Sequence, residues 1–255
     1  MLFDSHAHIT DEKFDEDRSE LVQLLRDNNI SNVVNPGVDT KTSIDAIKLA
    51  EEFDFIYAAV GYHPHEVENI TDKDIERIKE LALSSKKVVA IGEIGLDYYY
   101  DFSPRETQKE FFIKQIQLAN ELRLPFIVHD RDAHGDCFEI IKKYKAPETG
   151  CVLHCYSGEV ELAKEYIKLG CYISIPGTIT FKNNRKTIEV AKQIPMEYML
   201  IETDSPYLAP VPMRGKRNNP SFVKYVAEKI SEERNIPYEE VCRITRENAK
   251  KFFGV

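Results

Sequence analysis

Val88-Val89-Ala90-Ile91-Gly92-Glu93-Ile94-Gly95-Leu96-Asp97 is an apolar run that gives way to glycines and carboxylates. Downstream, Glu106–Glu121 with the adjoining Leu122 places Phe111, Phe112, Gln115, Leu118, Ala119 and Leu122 at intervals of three and four, the period of an amphipathic helix. A second apolar run, Phe126–His129, follows. Buried strand, amphipathic helix and buried strand make a parallel pair with a right-handed crossover. The same alternation runs through the chain, with strands predicted at Leu2–Asp4, Asn32–Asn35, Ile56–Val60, Val88–Ile91, Phe126–His129, Val152–His154, Tyr172–Ile175 and Met199–Ile201. Eight strand-plus-helix units result when the last helix is taken from the Ser221–Ile230 region. Eight units in 255 residues predict an α/β chain of the (β/α)8 TIM-barrel class, one domain over 1–255. A doubly wound open sheet shows the same alternation, but neither a G-x-G-x-x-G nor a Walker A motif is present to favour it.

Composition narrows the function classes. With 42% hydrophobic and 30% charged residues the chain can bury a sizeable core. Its 34 basic against 43 acidic residues give a formal net charge of -9, which excludes a broad basic nucleic-acid-coating face. Local neutralisation of one or two phosphates is still open, with metal ions supplying positive charge. No apolar run approaches the roughly 20 residues of a membrane helix, so no membrane partner is expected. Five cysteines without framework spacing suit a reducing compartment. His6 and His8 lie too near the start for a cleaved signal to precede them, so the expected location is cytoplasmic.

The chemistry lies in what ends each run. The strands end in Asp4-Ser5-His6-Ala7-His8, Gly92-Glu93, His129-Asp130-Arg131, His154-Cys155-Tyr156 and Glu202-Thr203-Asp204. In a parallel barrel these carboxyl ends share one face, where such folds build their active sites. His6 and His8, two apart in an extended segment, point the same way and can share one cation. Glu93 has two oxygens and suits the middle of a binuclear site. Glu202 and Asp204 share parity; either can be a ligand or a partner holding a histidine, and the Ser205-Pro206 turn favours Asp204 at the mouth.

These segments, with Gly61-Tyr62-His63-Pro64-His65 and Asp204-Ser205-Pro206-Tyr207-Leu208, resemble the TatD family of metal-dependent hydrolases, among the amidohydrolase-like barrels, across essentially the whole chain. The resemblance implies two divalent metal ions, with His6, His8, Glu93 and Asp204 around one and Glu93, His129 and His154 around the other. It implies a deoxyribonuclease acting 3′→5′ on single-stranded DNA, that is, hydrolysis of an ester bond. D-aminoacyl-tRNA deacylation, or another ester or amide hydrolysis at the same metal site, is the alternative. Two departures, Asp130 in place of a frequent serine and Asn219 in place of a frequent glutamate, adjoin expected substrate contacts.

On this reading Asp204 and Glu93 are the catalytic carboxylates, and Asp204 orients an attacking water and takes its proton. His63 and His65 contact the phosphate or protonate the leaving oxygen, or else brace their loop. Arg131 clamps a phosphate oxygen or pairs with a nearby aspartate. Tyr156 stacks on a base or packs at the mouth. Arg214, with Lys216 and Arg217, steers the phosphate backbone; a solvated loop is the plainer reading of that run. His134 is read as a surface residue, Tyr98-Tyr99-Tyr100 as rim packing with one ring beside the substrate groove, and Cys155 and Cys171 as without redox role. The ions are magnesium, manganese or zinc, histidine softness favouring the transition metals and phosphate chemistry magnesium. The substrate partner is single-stranded DNA, and the expected assembly is a monomer or weak oligomer.

Overall fold

A computed structural model describes residues 1–255. Eight strands, β1 (Leu2–Asp4), β2 (Ile30–Pro36), β3 (Ile56–Val60), β4 (Val88–Asp97), β5 (Phe126–Arg131), β6 (Cys151–Leu153), β7 (Cys171–Ile175) and β8 (Met199–Ile201), form one sheet in chain order. With helices between successive strands, this is the (β/α)8 TIM-barrel topology predicted from the apolar alternation. The helices are α1 (Arg18–Asp27), α2 (Thr40–Glu52), α3 (Asp72–Ser84), α4 (Arg105–Leu122), α5 (His134–Tyr144), α6 (Val160–Lys168), α7 (Arg185–Gln193), α8 (Val223–Arg234) and α9 (Tyr238–Phe253). The predicted last helix corresponds to α8. The α9 helix lies beyond the eight-unit count; its Phe253 ring stacks on Phe3 of β1 at 5.9 Å and closes the core there.

The contacts group the chain into two compact units. One comprises Met1–Asn35, His154–Ile167 and Tyr172–Val255; the other comprises Pro36–Leu153 and Lys168–Cys171.

In the first unit β7 and β8 pair in parallel, Ile173 to Met199 through Ile175 to Ile201. β1 is only three residues long, but its extension keeps pairing. The Ser5 amide donates to the Ile201 carbonyl, Asp204 donates to His6, and His8 donates to Ser205. That ladder lays His6-Ala7-His8 alongside the segment that follows β8.

In the second unit β4 is ten residues long and buried throughout, as a strand covered on both faces must be. It pairs with β5 from Ile91 to Asp97 with a register shift between Ile91 and Ile94. Gly95 (φ +142) permits that closeness, since a Cβ there would collide with the His129 carbonyl. The α4 helix buries Phe111, Phe112, Leu118 and Ala119 as its period predicts. Gln115, on the same face, is buried because its amide serves the Tyr62 backbone, accepting from the N–H at 2.7 Å and donating to the carbonyl at 3.0 Å. Helix starts follow local rules: Asp39 with Thr42, and Thr71 with Asp74, form capping boxes on α2 and α3.

Candidate metal and active site

The first unit gathers His6, His8, His154 and Asp204. The His6 and His8 Nε2 atoms are 3.2 Å apart, and they lie 3.8 and 3.5 Å from Asp204 Oδ1. The His154 ring stacks on His6 with centroids 3.9 Å apart. Burial would push the Asp204 carboxyl up, but the His8 hydrogen bond and the fields of His154, His6 and His8 bring it below the ordinary carboxylate value. Asp204 therefore carries its charge at neutral pH. It sits in the left-handed region (φ 53), a conformation short polar residues tolerate better than bulky ones.

Two buried carboxylates stand behind this group. Glu202 Oε1 lies 3.4 Å from His154 Nδ1 and accepts from the Cys155 amide, while Oε2 accepts from the Ser174 hydroxyl at 2.6 Å. Of the two strand-8 carboxylates, Glu202 lies against His154 and shares a donor set with His154 and His6, while Asp204 lies beside His6 and His8. Asp4 accepts from the Thr203 hydroxyl at 2.6 Å, the Thr203 amide at 3.0 Å and the His6 amide at 3.3 Å, tying the two strand extensions together. Burial pushes the Asp4 carboxyl well above its usual range despite those bonds.

The second unit gathers His63, His65, Glu93, Asp97 and His129. Glu93 Oε1 lies 2.9 Å from His129 Nδ1 and 3.5 Å from His63 Nε2. Asp97 escaped sequence reasoning. Its Oδ2 meets His65 Nε2 at 2.9 Å and His129 Nε2 at 3.0 Å, and its Oδ1 accepts from the amides of Tyr99 and Tyr100. Burial alone would raise the Asp97 carboxyl, yet the bonds from His129, His65 and the Tyr100 amide hold it far below the usual range. A signal was available. Once β4 is run to Asp97, Glu93 and Asp97 share strand parity, whereas a strand ending at Ile91 hides this.

Each unit offers a donor set that fits a divalent ion. His6, His154 and Glu202 present ligand atoms within 4.8 Å of one another, as do His63, Glu93 and His129. Two donors on one tetrahedral zinc-like ion stand about 3.4 Å apart, close to the 3.2 Å between His6 and His8. Imidazoles with carboxylates suit transition metals and leave magnesium open.

The remaining expected residues separate. His63 belongs to the donor set with Glu93 and His129 rather than standing apart as a loop residue, and its Nδ1 also accepts from the His65 amide at 3.2 Å. Arg131 pairs with no aspartate; its guanidinium stacks over Tyr99 at 4.1 Å and Tyr100 at 4.7 Å. Tyr156, expected to stack on a base or pack at the mouth, is 3% exposed; its hydroxyl donates to the Glu159 carbonyl and its ring abuts Tyr166. Arg214 is exposed over the Phe181 ring. Arg217, expected to share its steering role, is instead neutralised by Asp17. His134 opens α5 and lies 2.9 Å from Asp130. No helix is long and apolar enough to cross a membrane.

Comparison with known proteins adds independent findings. The family model described as TatD related DNase matches residues 3–254. The chain is 48% identical, over all of both chains, to the uncharacterized metal-dependent hydrolase YabD of Bacillus subtilis. It is 32% identical to the 3′-5′ ssDNA/RNA exonuclease TatD of a Rahnella species, covering 100% of this chain and 98% of the relative. The crystal structure of YjjV, a TatD homolog from Escherichia coli K12, superposes with a TM-score of 0.94 at 30% identity, covering 100% and 98% of the two chains.

Proposed function

The chain belongs to the TatD related DNase family, and from that premise we propose that this metal-dependent hydrolase is a nuclease that removes nucleotides from the 3′ end of single-stranded DNA. The observation that carries the reading is the ionised Asp204 beside His6 and His8, a carboxylate able to accept a proton next to imidazoles able to hold a cation. We assign His6, His8, Glu93, His129, His154 and Asp204 as ligands of two divalent ions, with residues 1–255 acting as one hydrolase domain. Once bound, such ions polarise the phosphoryl group and lower the pKa of an attacking water toward about 7.

The protein's own groups do the rest. Asp204 Oδ1 orients the water and takes its proton as the new P–O bond forms and the bond to the 3′ oxygen breaks. His65, held through Nε2 by Asp97, returns a proton to the departing 3′ oxygen. The products are a 5′-mononucleotide and a strand one residue shorter. Glu202 and Asp97 hold the His154 and His129 rings, the usual task of carboxylates behind metal-binding imidazoles.

The test is to strip the protein of metal and reload it separately with Mg2+, Mn2+, Zn2+ or Co2+. Each sample meets a 5′-labelled single strand, its duplex and a D-aminoacyl-tRNA, beside a Glu93→Ala control. A metal-dependent ladder of shortened single strands, absent from the control, is the expected result. Intact DNA with released amino acid would overturn the nuclease reading and move the chemistry to a carbonyl.

A further inference from the structure

The loop between β4 and α4 holds its aromatic side chains out of the core. Tyr99, Tyr100 and Phe102 are 58, 47 and 63% exposed, three large rings within four residues. Scattered apolar residues on a surface need no explanation, but a contiguous group marks a contact site. The group is ordered. Tyr100 and Phe102 lie 5.2 Å apart at 27°, nearly parallel, and Tyr99 meets Tyr100 edge-on at 4.9 Å. The Arg131 guanidinium covers Tyr99 and Tyr100 and adds a positive charge.

The loop is also braced so that these rings stay outward. Asp97 Oδ1 accepts from the amides of Tyr99 and Tyr100 at 3.0 and 2.8 Å. Gln108 clamps both ends of the turn, accepting from the Asp97 amide at 2.8 Å and donating to the Ser103 carbonyl at 2.7 Å. The Ser103 hydroxyl donates to the His65 carbonyl. A surface fixed before binding loses little conformational entropy when it binds. The platform also adjoins the Glu93–His129 donor set. The His65 ring meets Phe102 at 4.9 Å and Tyr100 at 5.4 Å, while its Nε2 shares Asp97 Oδ2 with His129.

We propose that Tyr99, Tyr100 and Phe102, with Arg131, form a stacking platform for unpaired nucleobases of the strand being hydrolysed. This rests on the nuclease reading above and specifies its substrate subsite. Aromatic faces joined to a guanidinium match a nucleobase with a phosphate beside it. Such stacking is tolerant of sequence, because every base has a π-face. It selects single strands, since bases within a duplex are already stacked on their neighbours. Tyr156 is buried, and base stacking falls instead to this loop, whose tyrosine run was expected to pack the rim with one ring beside the substrate groove.

The experiment compares the full chain with Tyr100→Ala, Phe102→Ala and Tyr100→Trp. The first arm measures binding of a fluorescent, hydrolysis-resistant phosphorothioate single strand, the same strand made abasic, and the duplex. The second measures KM and kcat of the metal-loaded enzymes on the normal and abasic strands. The platform predicts that wild type prefers the normal to the abasic strand, and that each alanine variant erodes that preference about tenfold through Kd and KM, as the loss of one stacked base implies. Tyr100→Trp restores it. Equal weakening on normal and abasic strands, or no wild-type preference between them, would overturn the proposal. If wild type cleaves no strand the nuclease reading fails, and the binding arm then decides the platform alone. Size-exclusion chromatography is the final check: a wild-type dimer that the alanine variants dissociate would make the rings an interface between copies and sink the base-stacking assignment.

Discussion

The two donor groups are built on the same plan and finished differently. In the first, His6, His8 and Asp204 come from strand extensions stitched together by backbone hydrogen bonds, and one buried carboxylate, Glu202, stands 3.4 Å behind one imidazole, His154. In the second, Asp97 serves two imidazoles at once through one oxygen and holds an exposed loop through the other. The first group sets an ionised carboxylate beside two imidazoles, with Glu202 buried behind it. The second ties ligand orientation to a surface that faces solvent. One carboxylate can therefore hold two imidazoles and an exposed loop at once, whereas Glu202 touches one imidazole and groups within the fold.

The largest expected effect breaks the first group at its charge. Asp204→Asn keeps the size of the side chain but removes the proton acceptor. Turnover should fall by about 10²- to 10⁴-fold, the usual worth of a positioned general base, with most of the metal retained by elemental analysis. Turnover within a few-fold of wild type would remove Asp204 from the proton transfer.

The comparison itself is sharpened by replacing the two supporting carboxylates. Losing a carboxylate behind a metal-binding imidazole typically costs about 10–100-fold in metal affinity or activity. Asp97→Asn, which disturbs two imidazoles and the Tyr99–Tyr100 turn, belongs near the upper end. Glu202→Gln, which disturbs one imidazole and can still accept from Ser174, belongs near the lower end. Metal titration and kcat of the pair decide it, and a larger loss for Glu202→Gln would invert the reading of the two groups.

Much of this was legible before any coordinates. The alternation of apolar runs and helical periods gives the fold, and the histidines fall at the ends of runs where a parallel barrel places its chemistry. Asp97 was hidden because a strand broken by Gly92 and Gly95 reads as ending at Ile91, when those glycines in fact let β4 continue close against β5. The different positions of Glu202 and Asp204 were hidden because parity alone puts both on one side. It took the backbone pairing of His6 with Asp204 to separate them. The fate of Tyr156 was invisible for a similar reason: a tyrosine after a strand-end histidine carries no mark of whether it points inward, and here it packs against Tyr166.

The remaining effects concern stability, and they too separate the regions. Gly95→Ala puts a methyl against the His129 carbonyl in the second group, where backbone cannot yield as a side chain tip can. It should cost about 1–3 kcal/mol, the range for overpacking a tight core, read from urea unfolding, and it should disturb His129 as well. Arg217→Ala probes the outer edge of the first unit, where the guanidinium donates to Asp17 and the Lys13 carbonyl and lies over Phe14. That arginine joins the loop after β8 to the segment before α1, beside the Tyr207 hydroxyl that donates to Asp11 at 2.7 Å. Its ion pair is well exposed, so solvent screening limits the global cost to below about 1 kcal/mol. Its local role is larger than that figure suggests. With the tether gone, hydrogen exchange should quicken at the amides of Lys216 and Asn218 while β8 keeps its protection. Unchanged exchange in the loop would mean that Asn218, which donates to the Thr203 and Tyr207 carbonyls from inside the fold, holds the segment without help from the surface pair.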